Sequence, residues 1–254
     1  MNWSYRCARG LRGTSLAYAA MLRRLSAVLC ALALALAGCG GDDDSGGATS
    51  AKKKPSSSSG TAQAGGQGVC KDVEQPTPRD GGGQQKPKQP LDPSKAYTVV
   101  LRTSCGSFTI RLDQRTSPNA AASFASLARN GFFDDTIFHR IVPGFVIQAG
   151  DPTASGTGGP GYSTRDRVPR NAAYDPGVVA MAKAGNEPAG TAGSQFFVVT
   201  GAGAGLTPDY ALLGKVTSGM KVVQAIGQLG DPASGGTGTP LQSVVIEKAT
   251  VRER

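Results

Sequence analysis

The side chains that could do chemistry in this sequence exclude most common kinds of active site. His139 is the only histidine, and together with five dispersed cysteines it offers no metal-ligand spacing. Ser194 lies in the run Gly-Ser-Gln-Phe, which lacks the second glycine of a nucleophile elbow. Arg140, taken alone, is an ordinary salt-bridging strand residue between a histidine and an isoleucine. The sequence therefore predicts no metal and no cofactor, and any reaction must depend on binding and hydrogen bonding.

Two long motifs and two shorter ones occur in a fixed order. Residues 138–151 read FHRIVPGFVIQAGD and residues 193–200 read GSQFFVVT, with GTGG at 156–159 and MAKAG at 181–185 between them. Together they resemble the signature of cyclophilin-type peptidyl-prolyl isomerases, and the resemblance covers residues 96–254. It implies a mainly β fold, a closed eight-stranded antiparallel barrel capped by two α-helices, with an active groove on its outer face. The implied activity is cis/trans rotation about X-Pro bonds of proline-containing polypeptides.

The resemblance also assigns roles to individual residues. Arg140 matches the family's catalytic arginine, whose guanidinium would donate to the proline nitrogen as the amide twists and so favour the transition state. Phe145 and Gln148 complete the catalytic set; Phe145, Phe197 and Leu206 form an apolar seat for the proline ring. Gln148 hydrogen-bonds the substrate and helps to hold the arginine. The other substrate-binding positions are Val146, Ala182, the backbone of Lys183, Gln195, Tyr210 and, in a supporting role, His139.

Four positions depart from the family's pattern and bear on substrate preference more than on activity. Gly205 stands where many members have a tryptophan that matters for cyclosporin, so we expect weak inhibition by this drug. Val146 replaces a frequent methionine, Lys183 a frequent asparagine and Tyr210 a frequent histidine. The alternative to an enzyme is a non-catalytic module that binds Pro-containing segments of a cell-envelope partner. A pure binder, however, has no need to keep both Arg140 and Gln148.

The elements that must position these residues follow from the pattern of apolar residues. TVVLRT and FTIRL are β-rich runs joined by a predicted hairpin turn. A helix follows, with Ser117 at the N-cap, Pro118 in the first position and Gly131 as its stop. Short apolar runs separated by Gly and Pro come next, and a second helix is predicted around residues 220–229.

Two details concern the groove directly. Phe196 and Phe197 are adjacent in a predicted strand and point to opposite faces, so one belongs to the core and the other to the groove. The connection 151–177 is long and rich in Gly and Pro, and connections of this kind are usually functional or disordered. The glycine run 156–159 within it is expected to border a neighbouring subsite.

The first residues carry a targeting signal. Arg23 and Arg24 precede an apolar run of 13 residues, Leu25–Ala37, which is too short for a bilayer and typical of a secretory signal. Translation is expected to start at Met21 rather than Met1. Residues 36–39, Leu-Ala-Gly-Cys, resemble a bacterial lipobox in which Cys39 takes the lipid; the alternative is an ordinary signal peptide with a chance cysteine. Residues 1–38 are thus the predicted signal, and the protein is expected outside the cytoplasmic membrane, anchored to it by lipid.

Residues 39–95 are predicted to be a disordered linker ahead of the domain at 96–254. They show no hydrophobic period and are built from Gly, Ser, Pro, Gln and charge. Once the signal is removed and Cys39 is lipidated, Cys70 and Cys105 remain, and in an oxidising compartment we predict a disulfide between them. Two separate thiols are the alternative.

The charge and the length exclude two further classes. The formal net charge is +9, but five arginines lie in the first 38 residues, leaving 22 basic and 18 acidic residues that are dispersed. A nucleic-acid binder concentrates its positive charge, so no nucleic-acid partner is expected. A solute-binding lipoprotein needs two α/β lobes, which neither the length nor the pattern supplies. We expect a monomer.

Overall fold

The structure, a computed structural model, describes residues 70–254. The predicted signal, the predicted lipid-attachment residue Cys39 and residues 39–69 of the predicted linker lie outside the described residues. Within the described part, no helix has the length and apolar character needed to cross a membrane.

Short antiparallel strands make up most of the described structure. In chain order the strands are β1 (Tyr97–Thr103), β2 (Gly106–Leu112), β3 (Thr136–Ile137), β4 (Arg140–Val142), β5 (Val146–Ala149), β6 (Thr164–Arg165), β7 (Val178–Met181), β8 (Thr191–Ala192), β9 (Phe196–Val199), β10 (Leu212–Ser218) and β11 (Val245–Glu253). The helices are α1 (Pro118–Arg129), α2 (Met220–Gly227) and a short 3-10 helix, Pro232–Ser234. Helix α2 thus lies within the predicted window.

The main sheet curls back on itself. Its nine strands run in the order β3-β11-β1-β2-β10-β7-β9-β5-β4, while β6 and β8 form a separate pair. The two end strands, β3 and β4, are consecutive in the chain and separated only by Phe138 and His139. If β3 and β4 are counted as one irregular strand, the sheet has the eight strands that the sequence predicts. The mainly β fold with a curled, barrel-like sheet and two helices is confirmed.

Alternation along the strands separates the core from an outer apolar patch. In β9, Phe196 and Val198 belong to the main core, whereas Phe197 and Val199 belong to a second cluster on the opposite face. The second cluster is completed by Val146, Tyr174 and Ala180, with Phe145, Leu206 and Tyr210 packed against it. The prediction that one of the two adjacent phenylalanines is core and the other groove is confirmed. A fully buried phenylalanine such as Phe196 contributes about 1.5–3 kcal/mol.

Helix α1 begins and ends where the sequence predicts, but another residue caps it. Ser117 holds the N-cap position without a side-chain hydrogen bond, and Gly131 follows the C-cap with φ 68°. The buried carboxylate of Asp166 accepts hydrogen bonds from the backbone N–H groups of Asn119 (3.1 Å) and Ala120 (2.8 Å). A full negative charge at the positive end of the helix satisfies these donors better than a serine hydroxyl. Asp166 follows strand β6, and no local pattern links it to the helix.

Residues 70–95 differ from the predicted disordered linker, because they follow the surface of the domain with specific contacts. Cys70 forms a disulfide with Cys105, the pairing that the sequence predicts. Gly82 donates its N–H to the carbonyl of Gly159 at 2.7 Å, and Arg79 donates to the carbonyl of Asp134 at 2.6 Å. The contacts of the domain therefore begin at least as early as Cys70 rather than at residue 96. Most of these contacts are hydrogen bonds from backbone groups and from the side chains of Arg79 and Lys86, so they left no apolar periodicity in the sequence.

Candidate active site

A cavity of about 240 Å³ opens on the outer face of the sheet, where β4, β5 and β9 lie side by side. All nine residues that line it are among the predicted site residues. They are Arg140, Phe145, Val146, Gln148, Ala182, Lys183, Phe197, Leu206 and Tyr210. The strand residues reach the cavity by alternation, since Val146 and Gln148 of β5 point to the same face. We call this space the first cavity.

Arg140 is half-buried at the edge of the first cavity and is held from behind. It lies opposite Gln148 in the β4–β5 register, and its guanidinium stands 5.8 Å from the centre of the Phe145 ring. Its Nη2 donates to the carbonyl of Gly236 at 3.3 Å. A Cβ on Gly238 would lie 2.7 Å from Cγ of Arg140, so only glycine allows this loop to support the arginine. Burial lowers the pKa of the guanidinium below its ordinary value, although it stays charged at neutral pH.

The apolar floor of the first cavity is held rigid by an aromatic contact and a hydroxyl. Phe197 is 5% exposed and packs edge-on against Tyr210, with ring centres 5.3 Å apart. The hydroxyl of Tyr174 donates to the carbonyl of Tyr210 at 2.7 Å and accepts its N–H at 3.0 Å. Burial raises the pKa of Tyr174, so the hydroxyl keeps the proton that it donates. No motif in the sequence includes Tyr174, because its role depends on a contact 36 residues away.

Gln195 positions Gln148 from a neighbouring space. Gln148 Nε2 donates to Gln195 Oε1 at 3.0 Å, and Gln195 Nε2 donates to the carbonyls of Gly156 and Gly158, both at 2.9 Å. Gln195 is therefore not in the first cavity itself. It ties the predicted catalytic glutamine to the glycine run of the long connection.

Asp151 folds that glycine run around its own buried carboxylate. The carboxylate accepts the N–H groups of Thr153 (2.7 Å), Gly156 (2.6 Å) and Gly158 (3.1 Å). A Cβ on Gly158 would lie 2.1 Å from Asp151 Oδ1, so this approach requires glycine. Burial by itself raises the pKa of Asp151, but the hydrogen bonds from Thr153, Gly158 and Gly156 outweigh it and lower the pKa below its ordinary value. The long connection thus has an ordered, anion-centred structure.

Lys183 contributes its side chain as well as the predicted backbone. The side chain is 4% exposed, and Nζ lies 2.7 Å from Asp209 Oδ2. Nζ also stands 5.8 Å from the centre of the Tyr210 ring. The expectation that this lysine matters only through its backbone omits this ion pair, which the sequence could not indicate because Asp209 is 26 residues away.

His139 stands behind the site and does not line the first cavity. Its ring packs near the glycine run, since a Cβ on Gly156 would lie 3.8 Å from His139 Cδ2. Burial, opposed by the charge of Asp151, lowers the pKa of the imidazole, which keeps it neutral. This placement agrees with a supporting role.

A second cavity of about 630 Å³ adjoins the first and shares Gln148, Ala182 and Lys183 with it. Its other lining residues are Gly81, Gly82, residues 156–163, Ala184, Glu187 and residues 193–195. The glycine run therefore borders a neighbouring space, as the sequence predicts. The presence of Gly81 and Gly82 was not foreseen.

Comparison with known proteins gives one consistent result. Residues 98–251 match the family model described as cyclophilin type peptidyl-prolyl cis-trans isomerase/CLD. The chain is 38% identical over 174 residues to peptidyl-prolyl cis-trans isomerase B of Streptomyces anulatus, covering 61% of this chain and 97% of that protein. It is 36% identical over 162 residues to peptidyl-prolyl cis-trans isomerase-like 1 of Aspergillus oryzae, covering 62% and 97%.

Solved structures agree with the sequence relatives. The crystal structure of a cyclophilin type peptidyl-prolyl cis-trans isomerase of Cryptosporidium parvum has a TM-score of 0.56 and 28% identity, covering 62% of this chain and 98% of that chain. A crystal structure of the same protein in the presence of the dipeptide Ala-Pro has a TM-score of 0.55 and 29% identity, covering 61% and 98%.

Proposed function

The chain belongs to the cyclophilin-type peptidyl-prolyl cis-trans isomerase family, and from this membership we propose that it isomerises X-Pro bonds of exported polypeptides as they fold outside a membrane. The observation that carries the proposal is the first cavity, which nine predicted site residues line. The secretory signal pattern and the Cys70–Cys105 disulfide support an oxidising compartment, because disulfides are rare in the cytosol.

The chemistry requires only selective binding. Rotation about an amide is slow because the C–N bond is partly double, with a barrier of about 18–20 kcal/mol. The rigid apolar floor around Phe197 can hold the proline ring while the rest of the peptide rotates. As the nitrogen loses conjugation it gains a lone pair, and the guanidinium of Arg140 can donate to it. In a partly buried site this hydrogen bond is stronger than in water, so the twisted amide is bound better than either planar isomer.

Gln148 orients the peptide during this rotation. It lies opposite Arg140 in the sheet, and its amide donates a hydrogen bond to Gln195. This hydrogen bond fixes the position of the amide beside the apolar floor. A hydrogen bond from this amide to a substrate carbonyl would fix one side of the rotating bond. The arginine, the glutamine and the floor then act on three different parts of the X-Pro unit.

The test compares the full chain with Arg140→Ala in an exchange assay on a short Xaa-Pro peptide. We expect acceleration by the wild type and a loss of about a hundredfold in kcat/KM for the variant, about 2.7 kcal/mol of transition-state stabilisation. Arg102→Ala is the matched control, since Arg102 pairs with Glu247 on the exposed surface. Binding of the peptide without acceleration by either wild type or variant would favour the non-catalytic Pro-peptide module.

The location is a separate part of the proposal. We propose that Cys39 carries lipid and holds the protein to the outer face of the bacterial cell membrane, with residues 40–69 giving it reach. Expressed in a bacterial host, Cys39→Ala should move the protein from the membrane fraction to the soluble fraction and abolish labelling by a fatty-acid analogue. A variant that stays in the membrane fraction would contradict the lipid anchor.

Proline-containing polypeptides are the proposed partners, with no nucleic acid among them. Weak binding of cyclosporin remains our expectation. Gly205 adopts φ 62° beside Leu206, so this position supplies no side chain to the first cavity and is unfavourable for a tryptophan.

A further inference from the structure

Residues 70–86, which we call the strap, cross the surface of the barrel and reach the second cavity at Gly81. Gly81 and Gly82 line it directly. Gly82 donates its N–H to the carbonyl of Gly159 at 2.7 Å, and Gln84 donates to that of Pro160 at 3.1 Å. Lys86 Nζ then donates to the carbonyl of Ser163 at 3.0 Å. The strap thus covers one edge of the second cavity, the edge that residues 159–163 form.

The glycines at this crossing are required by close contact. A Cβ on Gly81 would lie 2.8 Å from the carbonyl oxygen of Gly159. From the other side, a Cβ on Gly161 would lie 2.9 Å from the Cα of Gly82. Two backbones can approach this closely only where neither carries a side chain. Gly81 is therefore explained by a specific contact, whereas Gly82 (φ 88°) and Gly83 (φ 68°) adopt left-handed backbone conformations that favour glycine.

Two anchors hold the strap before it reaches the second cavity. The disulfide fixes Cys70 to Cys105, a buried residue of the main core. Further along, the guanidinium of Arg79 donates to the carbonyls of Phe132 (3.0 Å) and Asp134 (2.6 Å), and its backbone N–H donates to Pro152 at 2.9 Å. Since both anchors are on the barrel, Gly81 and Gly82 have a fixed position relative to the two cavities.

The second cavity can receive a side chain of a peptide whose proline is in the first. The two cavities share Gln148, Ala182 and Lys183, so they are in direct contact. An extended peptide advances about 3.3 Å per residue, so a residue one or two positions from the proline reaches the neighbouring space. A volume of about 630 Å³ admits a large side chain.

The lining disfavours a negatively charged side chain. Seven of its eighteen lining residues are glycines, and its two charged side chains are already hydrogen-bonded. Lys183 pairs with Asp209, and Glu187 Oε2 accepts the N–H of Ala184 at 2.6 Å. A negatively charged substrate group would therefore lose hydration here without gaining a free positive charge, since Lys183 already pairs with Asp209.

We propose that the strap is a specificity-determining wall of the second cavity, which favours substrates with a large residue that carries no negative charge near the proline. Without the strap the edge along residues 159–163 is open, and a large side chain loses contacts on that side. A glycine at the same peptide position makes no such contacts, so kcat/KM for that peptide should not depend on the strap. This inference rests on the proposed function, because it requires proline in the first cavity.

The test compares the full chain with a chain lacking residues 70–86 and with the milder double variant Arg79→Ala/Gly81→Ala. Gln85→Ala is the matched control, because Gln85 is exposed and lines neither cavity. The measurement is kcat/KM for Ala-Pro peptides in which a flanking residue on either side is Gly, Tyr or Glu. At one of the two flanking positions, we expect the ratio of kcat/KM for the Tyr peptide to kcat/KM for the Gly peptide to fall by about fivefold or more in both strap variants. Activity on the Gly peptides and the ratio in the control should stay within about twofold.

The outcomes separate the two claims. An unchanged Tyr-to-Gly ratio in a deletion variant that remains active on Gly peptides overturns the specificity wall and leaves the isomerase intact. If the deletion variant does not fold, the same unchanged ratio in Arg79→Ala/Gly81→Ala, with faster hydrogen exchange at the Gly82 amide, overturns it. A wild-type chain that accelerates none of the peptides overturns the proposed function itself.

Discussion

Asp151 shows how a single buried charge can support a site that it does not touch. Its carboxylate gathers the N–H groups of Thr153, Gly156 and Gly158. The carbonyls of Gly156 and Gly158 then hold Gln195, which holds Gln148 in the first cavity. The protonation state of Asp151 is therefore linked to the order of the groove.

The pH dependence of stability should reveal this carboxylate. The pKa of Asp151 is lowered from 3.8 in the folded protein, so its contribution is present above that value and is lost as the pH falls below it through the folded pKa. Asp151→Asn places an amide NH₂ against N–H donors and should cost about 1–3 kcal/mol of unfolding free energy at pH 7. Denaturant melts of both proteins between pH 7 and pH 2.5 would measure the difference. We expect it to shrink at the acid end, and a constant difference would contradict the assignment.

The residues that the sequence could identify are those within a continuous motif. Arg140, Phe145 and Gln148 lie in a run of 14 residues, so their relation is preserved in the order of the chain. Tyr174, Gly238 and Asp209 act through contacts with segments far away in the chain, and nothing in their own neighbourhoods marks them. His139 lies in the motif but points away from the first cavity, because motif membership does not specify the direction of a side chain.

At the scale of elements, helix α1 depends on a carboxylate from another part of the fold. Asp166 follows β6 and accepts both backbone N–H groups of the first turn. Local signals placed the ends of the helix correctly, because Pro118 and Gly131 act through their own backbone preferences. They could not identify the hydrogen-bonding cap, which comes from 46 residues further along the chain.

Removal of this cap should destabilise the protein without changing its chemistry. Asp166→Ala leaves the N–H groups of Asn119 and Ala120 without their acceptor, and we expect a loss of about 1 kcal/mol in unfolding free energy, within the usual range of 0.5–2. Asp175→Ala is the control, since Asp175 is exposed on the surface. Chemical denaturation measures the loss. Because Asp166 lines neither cavity, kcat/KM should stay near the wild-type value, and a large fall in kcat/KM would show that α1 influences the groove.

The strap shows that composition alone does not predict whether a segment is ordered. Its sequence lacks apolar periodicity, and low hydrophobicity usually predicts disorder. Here a disulfide, an arginine and close glycine contacts supply the order that apolar burial supplies elsewhere. The strands β5 and β9, by contrast, were predictable as short apolar runs between Gly-containing turns, although the sequence did not show which face of each strand was core.

At the scale of the whole molecule, both ends of the curled sheet are hydrogen-bonded to other segments of the chain. Beside the end strand β3, Phe138 donates its N–H to the carbonyl of Val244 at 2.9 Å, and Ile141 of the end strand β4 donates to that of Gly238 at 2.7 Å. An open strand edge would be a template for pairing between chains. Within residues 70–254, Leu241 is the one large hydrophobic residue that is clearly exposed, at 63%.

A stable dimer buries about 1,200–2,000 Å² with an apolar centre, and one leucine cannot provide it. We therefore expect the non-lipidated protein, produced as Cys39→Ala, to sediment as a monomer at micromolar concentrations. Sedimentation velocity gives the mass, and Leu241→Ser provides the comparison. A dimer that Leu241→Ser dissociates would locate an interface at this residue. A dimer that survives the substitution would contradict the expected monomer and show that the interface does not depend on Leu241.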